Sequence, residues 1–354
     1  MRILHIGEYV KGGVATYIRT VIQHQQKNHA VYLALSGYNS EKTWPLPEER
    51  IHYYTYKRNL SCTLQAIISI YKIIKIVKPD IVHIHSSWAG LYARILYFFV
   101  PKNIKIVYCA HGWAFLMDVS IWKKQMYAFI ERVLSYKTDA IINISKFELH
   151  KAVEYKIAPK KLILIQNGVY ESLNNKAAIK FCDNIVNLLF VGRFDRSKGI
   201  DVLLGFLQKK TYEHLHVYII GDSVVDNIDL VFPANTTLLG WVDNNLIDNY
   251  YAACDAVIMP SRWEGFGLTA IEAMRNRKAV IASNRCALPE LVVDGYNGYI
   301  FDLDSLQELD RILLSLDKHE LKKMGSNGYQ FYKSQFTARH MNAKIDVLYN
   351  DLMK

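Results

Sequence analysis

Two glutamates eight positions apart, Glu264 and Glu272, bracket the run Gly265-Phe266-Gly267-Leu268-Thr269. An apolar run, Asp255 to Pro260, precedes it and reads as a strand; Gly267–Asn276 reads as a helix. A strand, a glycine turn and a helix start make a seat for phosphate. The first N–H groups of a helix have no internal partner, and the helix dipole adds positive potential there. Gly265 and Gly267 let a bulky anion approach the backbone. A carboxylate beside that anion would be repelled by it, so Glu264 and Glu272 are expected to face neutral hydroxyls. Phosphate with hydroxyl-bearing units on both sides describes a nucleotide sugar. The plainer reading is that Glu264 complements the dipole and Glu272 lies on a solvated face.

A second constellation is Gly192-Arg193-Phe194-Asp195-Arg196-Ser197-Lys198-Gly199, after the apolar run Val186–Val191. Arg193 offers a planar fork and Lys198 a point charge, and both stand where one anion can meet them. A solvated basic loop is the competing reading. Near the N-terminus, Gly12-Gly13 follows a strand and opens a helix, without the Lys-Ser/Thr of a Walker loop or a G-x-G-x-x-G pattern. His111-Gly112 follows the strand Ile104–Cys109, and His111 is a ligand candidate. His83 and His85 alternate on one strand and read as core or loop-supporting residues. No carboxylate or thiol stands at ligand spacing from them, so no metal is expected.

These residues need a scaffold that brings strand ends together. Strand patterns lie at 2–6, 31–35, 51–55, 81–84, 104–109, 140–144 and 162–165, with helices at 14–25, 63–78, 89–99 and 122–136 between them. Residues 171–184 are more polar and read as a linker. The alternation restarts with strands at 186–191, 216–220, 236–239, 256–259, 278–282 and 298–301, and helices at 199–207, 243–253, 267–276 and 305–316. Apolar strands separated by helices indicate parallel sheets covered on both faces. The expected fold is α/β, two doubly wound Rossmann-like domains facing across a cleft: 1–170, then 185–335. A last amphipathic helix within 336–354 is expected to pack back across the boundary. Ligands of such folds bind beyond the carboxyl ends of the strands, where the loops of Gly12, His111, Arg193 and Glu264 stand.

At 354 residues the chain is long enough for two cores, and its composition, 51% hydrophobic, excludes a disordered chain. Five scattered cysteines (Cys62, Cys109, Cys182, Cys254, Cys286) show no C-x-x-C pair, which suits a reducing compartment. The N-terminus reads as a buried strand rather than a signal peptide, and a cytoplasmic location is expected. Net charge is +10 and uneven: residues 1–170 hold 23 Lys and Arg against 10 Asp and Glu. The first half should therefore meet something anionic.

Taken together, the motifs resemble the retaining GT-B-fold glycosyltransferases of family 4. The likeness rests on Gly12-Gly13, His111-Gly112, Asn167-Gly168-Val169, Gly192-Arg193 with Lys198-Gly199, and above all the E-x7-E pair Glu264/Glu272. The resemblance implies that Arg193 and Lys198 bind the donor diphosphate, together with the main chain of Gly267, Leu268 and Thr269. It implies that Glu272 binds the ribose hydroxyls, Glu264 and His111 the donor sugar, and Gly13 the phosphates. It implies retention by front-face attack and no metal or other cofactor, so Asp302-Leu303-Asp304 is not read as a metal motif. Asp304 or Ser305 is expected instead to cap a helix. Arg277, Ala279, Cys286 and Ala287 depart from the family pattern, the last two where glycines often contact the donor sugar.

The expected acceptor is a lipid-linked saccharide in surface polysaccharide assembly, with a UDP-linked hexose as donor. The apolar loop Trp113-Ala114-Phe115-Leu116-Met117, Trp122-Lys123-Lys124 and the lysines 72, 75 and 78 are expected to meet an anionic membrane surface. Rival readings are a GT-B-fold nucleotide-sugar epimerase, an inactive glycosyltransferase-like scaffold and a nucleic-acid-binding protein. The last lacks any zinc-finger, RRM or helix-turn-helix signature, so no nucleic acid is expected.

Overall fold

The computed structural model describes residues 1–97, 103–172, 179–222 and 230–354. The chain forms two units: residues 1–168 with 338–354, and residues 169–337. Part of the expected linker, 173–178, and Phe98 and Phe99 of the expected helix 89–99 lie outside the described residues.

Unit 1 is built from β1 (Arg2–Gly7), α1 (Gly13–Gln25), β2 (Ala30–Ser36), β3 (Ile51–Tyr54), α2 (Leu60–Val77), β4 (Ile81–His85), α3 (Ser87–Leu96), β5 (Lys105–Cys109), α4 (Ile121–Ser135), β6 (Ala140–Asn143), α5 (Lys146–Glu154) and β7 (Leu162–Leu164). Its strands are parallel in the order β3-β2-β1-β4-β5-β6-β7. The order reverses direction between β1 and β4, the place where doubly wound sheets leave a crevice at their carboxyl ends. The strands read as unbroken apolar runs because helices cover both faces, and β1 is buried from Ile3 to Gly7.

Unit 2 repeats the plan with β8 (Val186–Val191), α6 (Ile200–Leu207), β9 (Leu215–Ile220), β10 (Thr236–Gly240), α7 (Ile247–Ala253), β11 (Ala256–Met259), α8 (Leu268–Arg275), β12 (Ala279–Ser283), α9 (Leu288–Leu291), β13 (Gly298–Phe301), α10 (Gln307–Leu314) and α11 (Lys318–Gln335). Its parallel sheet runs β10-β9-β8-β11-β12-β13. The chain then returns to unit 1 as α12 (Ala338–Leu352), where Asp346 pairs with His24 at 2.7 Å and Tyr349 is fully buried.

One buried polar feature ties unit 1 together. Arg94 is fully buried on α3, 2.6 Å from Glu131 of α4, and its guanidinium lies over the Tyr108 ring at 3.7 Å. Arg94 Nε also donates to the carbonyl of Gly90, where a Cβ would come within 2.5 Å of Tyr108.

One long helix was not foreseen, and two expectations need correction. α11 has no counterpart in the sequence reading. It is polar, and Gly325 and Gly328 look like breakers. Gly325 is instead a contact point: a Cβ there would lie 2.0 Å from the carbonyl oxygen of Arg277. α10 begins at Gln307, so neither Asp304 nor Ser305 caps it; Asp302 accepts from the Asp304 amide, and Asp304 pairs with Arg285. In the loop 113–117, Trp113 and Phe115 are fully buried and stack on each other, so only its end, at Met117, presents an exposed apolar side chain.

Candidate active site

In unit 2, β11 ends at Met259 and the chain turns through Pro260-Ser261-Arg262-Trp263-Glu264-Gly265-Phe266-Gly267 into α8. Gly267 is the N-cap, with φ +103°, a conformation that favours glycine. The amides of Leu268 and Thr269 open the helix behind it, unpaired by geometry and favourable to an anion. Phe266 is buried with its ring against Phe336, which leaves only its main chain for a ligand.

The loop after β8 is fastened to this turn. The guanidinium of Arg262 makes two 2.7 Å bonds to Asp201, and the Arg262 amide donates to the Ser197 carbonyl at 2.8 Å. At Gly199, φ is +68° and a Cβ would lie 1.9 Å from the Pro260 carbonyl oxygen. Only glycine lets the two loops come this close. The result brings Lys198 onto Glu264: Nζ to Oε1 is 2.7 Å, and the hydroxyl of Ser261 donates to the same oxygen at 2.9 Å. Arg193 pairs with Asp195 at 2.9 Å and stays half exposed.

Glu272 sits one turn into α8. Burial pushes its carboxyl up, while Arg275 and a hydrogen bond from Tyr251 pull it down. The Tyr251 hydroxyl, fully buried on α7, donates to Oε2 at 3.0 Å. The arrangement offers a cation and free helix amides for phosphate, with two carboxylates as hydroxyl acceptors.

In unit 1, Gly12 caps α1 with φ +58° and open space around its α-carbon, at the carboxyl end of β1. Gly13 is the first residue of that helix. His111 follows β5 with φ +53°, and its ring turns inward: Nε2 lies 3.0 Å from His85 Nδ1. His5, His83 and His85 form a buried cluster whose ligand atoms lie within 4.8 Å of one another, the shape of a metal site. Five of their six ring nitrogens, however, are hydrogen-bonded to protein groups: His5 to His85 and Gln25, His85 to His5 and His111, and His83 to Tyr349. Burial lowers all four imidazoles, His5 to about 4 and His111 to about 3, so they are neutral at pH 7.

Residues 11–172 match Glycosyltransferase Family 4, and residues 174–331 match the glycosyl transferases group 1. The chain belongs to this glycosyltransferase family. A Klebsiella pneumoniae protein described as an uncharacterized 41.2 kDa protein in a cps region is 35% identical over 335 residues, covering 91% of this chain and 90% of that one. The Escherichia coli UDP-Gal:alpha-D-GlcNAc-diphosphoundecaprenol alpha-1,3-galactosyltransferase is 26% identical, covering 84% of this chain and 83% of that one. The crystal structure of Anabaena HepE in complex with UDP and glucose superposes with a TM-score of 0.82 at 19% identity, covering 99% of this chain and 100% of that one. That likeness is one of fold: GT-B, with two Rossmann-like sheets.

In this glycosyltransferase, the structure brings Lys198, Glu264 and the start of α8 together in unit 2, and it shows partners that the sequence reading missed. Ser261 and Tyr251 each hold one of the two glutamates. Ser261 lies three residues before Glu264 and was within reach of a spacing argument. Tyr251 comes from another helix, 21 residues before Glu272, and no local pattern points to it. Arg262 and Asp201 form the staple between the loops, 61 residues apart in sequence.

Proposed function

We propose that this glycosyltransferase moves a hexose from a UDP-sugar to a lipid-linked saccharide in surface polysaccharide assembly, with retention at the anomeric carbon. The observation that carries the donor reading is the pairing of Lys198 with Glu264 beside the free amides of α8. In this reading the diphosphate lies on those amides, with Lys198 and Arg193 neutralising it. Glu272 accepts from the ribose hydroxyls and Glu264 from the sugar hydroxyls. Gly12 and Gly13 are assigned to the phosphates and His111 to the transferred sugar. The bond from the anomeric carbon to the phosphate oxygen breaks with its electron pair going to phosphate. The acceptor oxygen bonds to the same face of that carbon, and its proton passes to the departing phosphate. Cations and amides aimed at the growing charge lower the barrier, each by about 2.7–4 kcal/mol where such donors have been removed.

The acceptor reading is supported by the Escherichia coli relative, whose name specifies a diphosphoundecaprenol-linked sugar. It is also supported by the surface of unit 1. On α4, Trp122, Phe129 and Val133 are exposed along one face, with exposed Tyr136 just beyond its C-terminus, and α2 exposes Leu64, Ile68 and Tyr71 with Lys72 and Lys75. Beside α4, a cleft of about 610 Å³ is lined by Lys124, Arg132, Lys151 and Lys156 with Phe115 and Phe147, and by one carboxylate, Glu154, which pairs with Lys151 at 2.7 Å. Apolar and cationic groups in this mixture suit an anionic bilayer surface. Among the described residues no helix is long and apolar enough to cross a membrane.

The test is transfer itself. The protein is incubated with UDP-hexoses and a polyprenyl-diphosphate-linked monosaccharide, and the product linkage is read by NMR. An α-linked product from an α-linked donor is expected. A β-linked product overturns retention, and donor turnover without transfer to lipid overturns the acceptor class.

A further inference from the structure

A line of hydrogen bonds runs through unit 1 from Gln25 on α1 to the loop after β5. His5 Nε2 lies 2.8 Å from Gln25 Oε1, His5 Nδ1 lies 2.9 Å from His85 Nε2, and His85 Nδ1 lies 3.0 Å from His111 Nε2. At the far end Cys109 Sγ lies 3.6 Å from His111 Nδ1.

The Gln25 end fixes the direction of the line. The Gln25 amide oxygen can only accept. Cys109 is fully buried and burial pushes its thiol up, so the sulfur keeps its proton; a thiol can donate or accept, and it completes the line in whichever direction the other end sets. With the Gln25 end accepting, each neutral imidazole has one consistent tautomer. His5, His85 and His111 each donate from Nε2 and accept at Nδ1, and no bond in the line is left unmade. The rings of His85 and His111 stack at 5.3 Å, those of His5 and His85 at 5.2 Å, and Tyr17 packs edge-on against His111 at 4.6 Å. Both nitrogens of His111 are therefore engaged inside unit 1. Its backbone, at φ +53° with Gly112 at +121°, is held in a conformation that a histidine rarely adopts.

We propose that Gln25, His5 and His85 are positioning residues that hold His111 as its Nε2–H tautomer, so that His111 meets the transferred sugar through its main chain and not through a ring nitrogen. This rests on the reading above in which His111 contacts that sugar. The array acts as one unit: reversing one ring requires reversing all three. Removing the accepting end at Gln25 leaves the His5 Nε2–H without a partner and frees the line to run the other way. His111 then loses its fixed ring and, with it, the support for its strained backbone. Lys198, Arg193, Glu272 and the α8 amides, which carry most of the nucleotide's assigned contacts, lie in unit 2, and Gly12 and Gly13 stand at the opposite end of α1 from Gln25, so nucleotide binding should change little.

The test uses the full chain labelled with ¹⁵N-histidine, with long-range ¹H–¹⁵N correlations at pH 7 reporting each tautomer. The expected result is Nε2–H at His5, His85 and His111, and a mixture containing Nδ1–H at His111 in Gln25→Met. In parallel, kcat for donor turnover should fall about 10–100-fold in that variant with KM for the donor nearly unchanged, as expected for a misplaced reacting group. An Nδ1–H or protonated His111 in the wild-type chain overturns the array, as does a His111 tautomer indifferent to Gln25→Met. A tautomer that shifts while kcat does not would leave the array standing and overturn the assignment of His111 to the sugar. Should Gln25→Met fail to fold, the wild-type spectrum still decides the array, and His5→Asn serves for the kinetics.

Discussion

Lys198 Nζ lies 2.7 Å from Glu264 Oε1, across 66 residues of sequence, and Ser261 donates to the same oxygen. The cation assigned to the diphosphate and the carboxylate assigned to the sugar are thus held together before any ligand arrives. A diphosphate entering the site competes with Glu264 for the ammonium and frees carboxylate capacity for sugar hydroxyls. Lys198→Ala should lower kcat/KM by about 100–1000-fold, the range for loss of one charge-stabilising donor. Because the two residues share one contact, Lys198→Ala with Glu264→Gln should lose less than the sum of the single losses. Steady-state kinetics on the three variants checks this; strict additivity would mean the pair does not act together.

Glu272 gives the nucleotide site a pH dependence. Its carboxyl is raised by burial, and the carboxylate is the form able to accept the two ribose hydroxyls assigned to it above. Nucleotide affinity should therefore weaken as pH falls through this raised value. Tyr251 donates to the carboxylate and lowers it, so Tyr251→Phe should shift the loss to higher pH. Calorimetric titrations of nucleotide between pH 7.5 and about 5 read the shift; an unchanged profile would remove Tyr251 from the site.

The histidine array makes unit 1 acid-sensitive. Each ring is neutral when folded and protonates near the usual 6.5 when unfolded, so the unfolded chain binds more protons below that pH. Stability should be fully present above about pH 6.5 and fall by about 1.4 kcal/mol per pH unit for each histidine below it. For His5 the fall continues to about pH 4. Denaturant melts at stepped pH measure the slope, and His85→Asn should flatten it by one histidine's share. A stability independent of pH between 6.5 and 5 would contradict the buried neutral cluster.

The Arg94–Glu131 pair should matter for stability alone. Arg94→Met leaves a nearly buried carboxylate uncompensated and should destabilise unit 1 by about 3–5 kcal/mol. Replacing both, with Arg94→Met and Glu131→Leu, should recover much of the loss. Urea unfolding of the three variants checks both statements.

The exposed face of α4 should carry membrane contact. Trp122→Ala with Phe129→Ala removes two large apolar side chains, 69% and 58% exposed, that pack little in the fold. Sedimentation with phosphatidylglycerol vesicles at low salt should show binding by the wild-type chain and its loss in the variant, with the melting temperature unchanged. A wild-type chain that stays in the supernatant would contradict the docking reading.

Much of this was legible in the sequence because strand runs in covered parallel sheets are unbroken and apolar. Every strand from β1 to β13 has its counterpart there, displaced by two residues at most. The helices α5, α9 and α11 were not legible. α5 and α11 are polar, α9 is a single turn, and the glycines of α11 stand where a neighbouring carbonyl comes close rather than where a helix ends. In the candidate site, Glu264, Glu272, Lys198 and the Gly267 cap follow local patterns. Tyr251, Asp201 and the His5–His85–His111 line join residues from separate elements, and only the fold brings them together. The loop around Trp113 misled in the opposite direction, since apolar residues in a loop can be core.

The most direct test of the central claim is calorimetric binding of UDP, GDP, ADP and CMP to the wild-type chain and to Glu272→Ala. The account predicts that UDP binds and that the substitution weakens it, with a matching stabilisation of about 2.7 kcal/mol when UDP is present at 100 times its Kd. Binding of none of the four, or binding of UDP that Glu272→Ala leaves untouched, would contradict it.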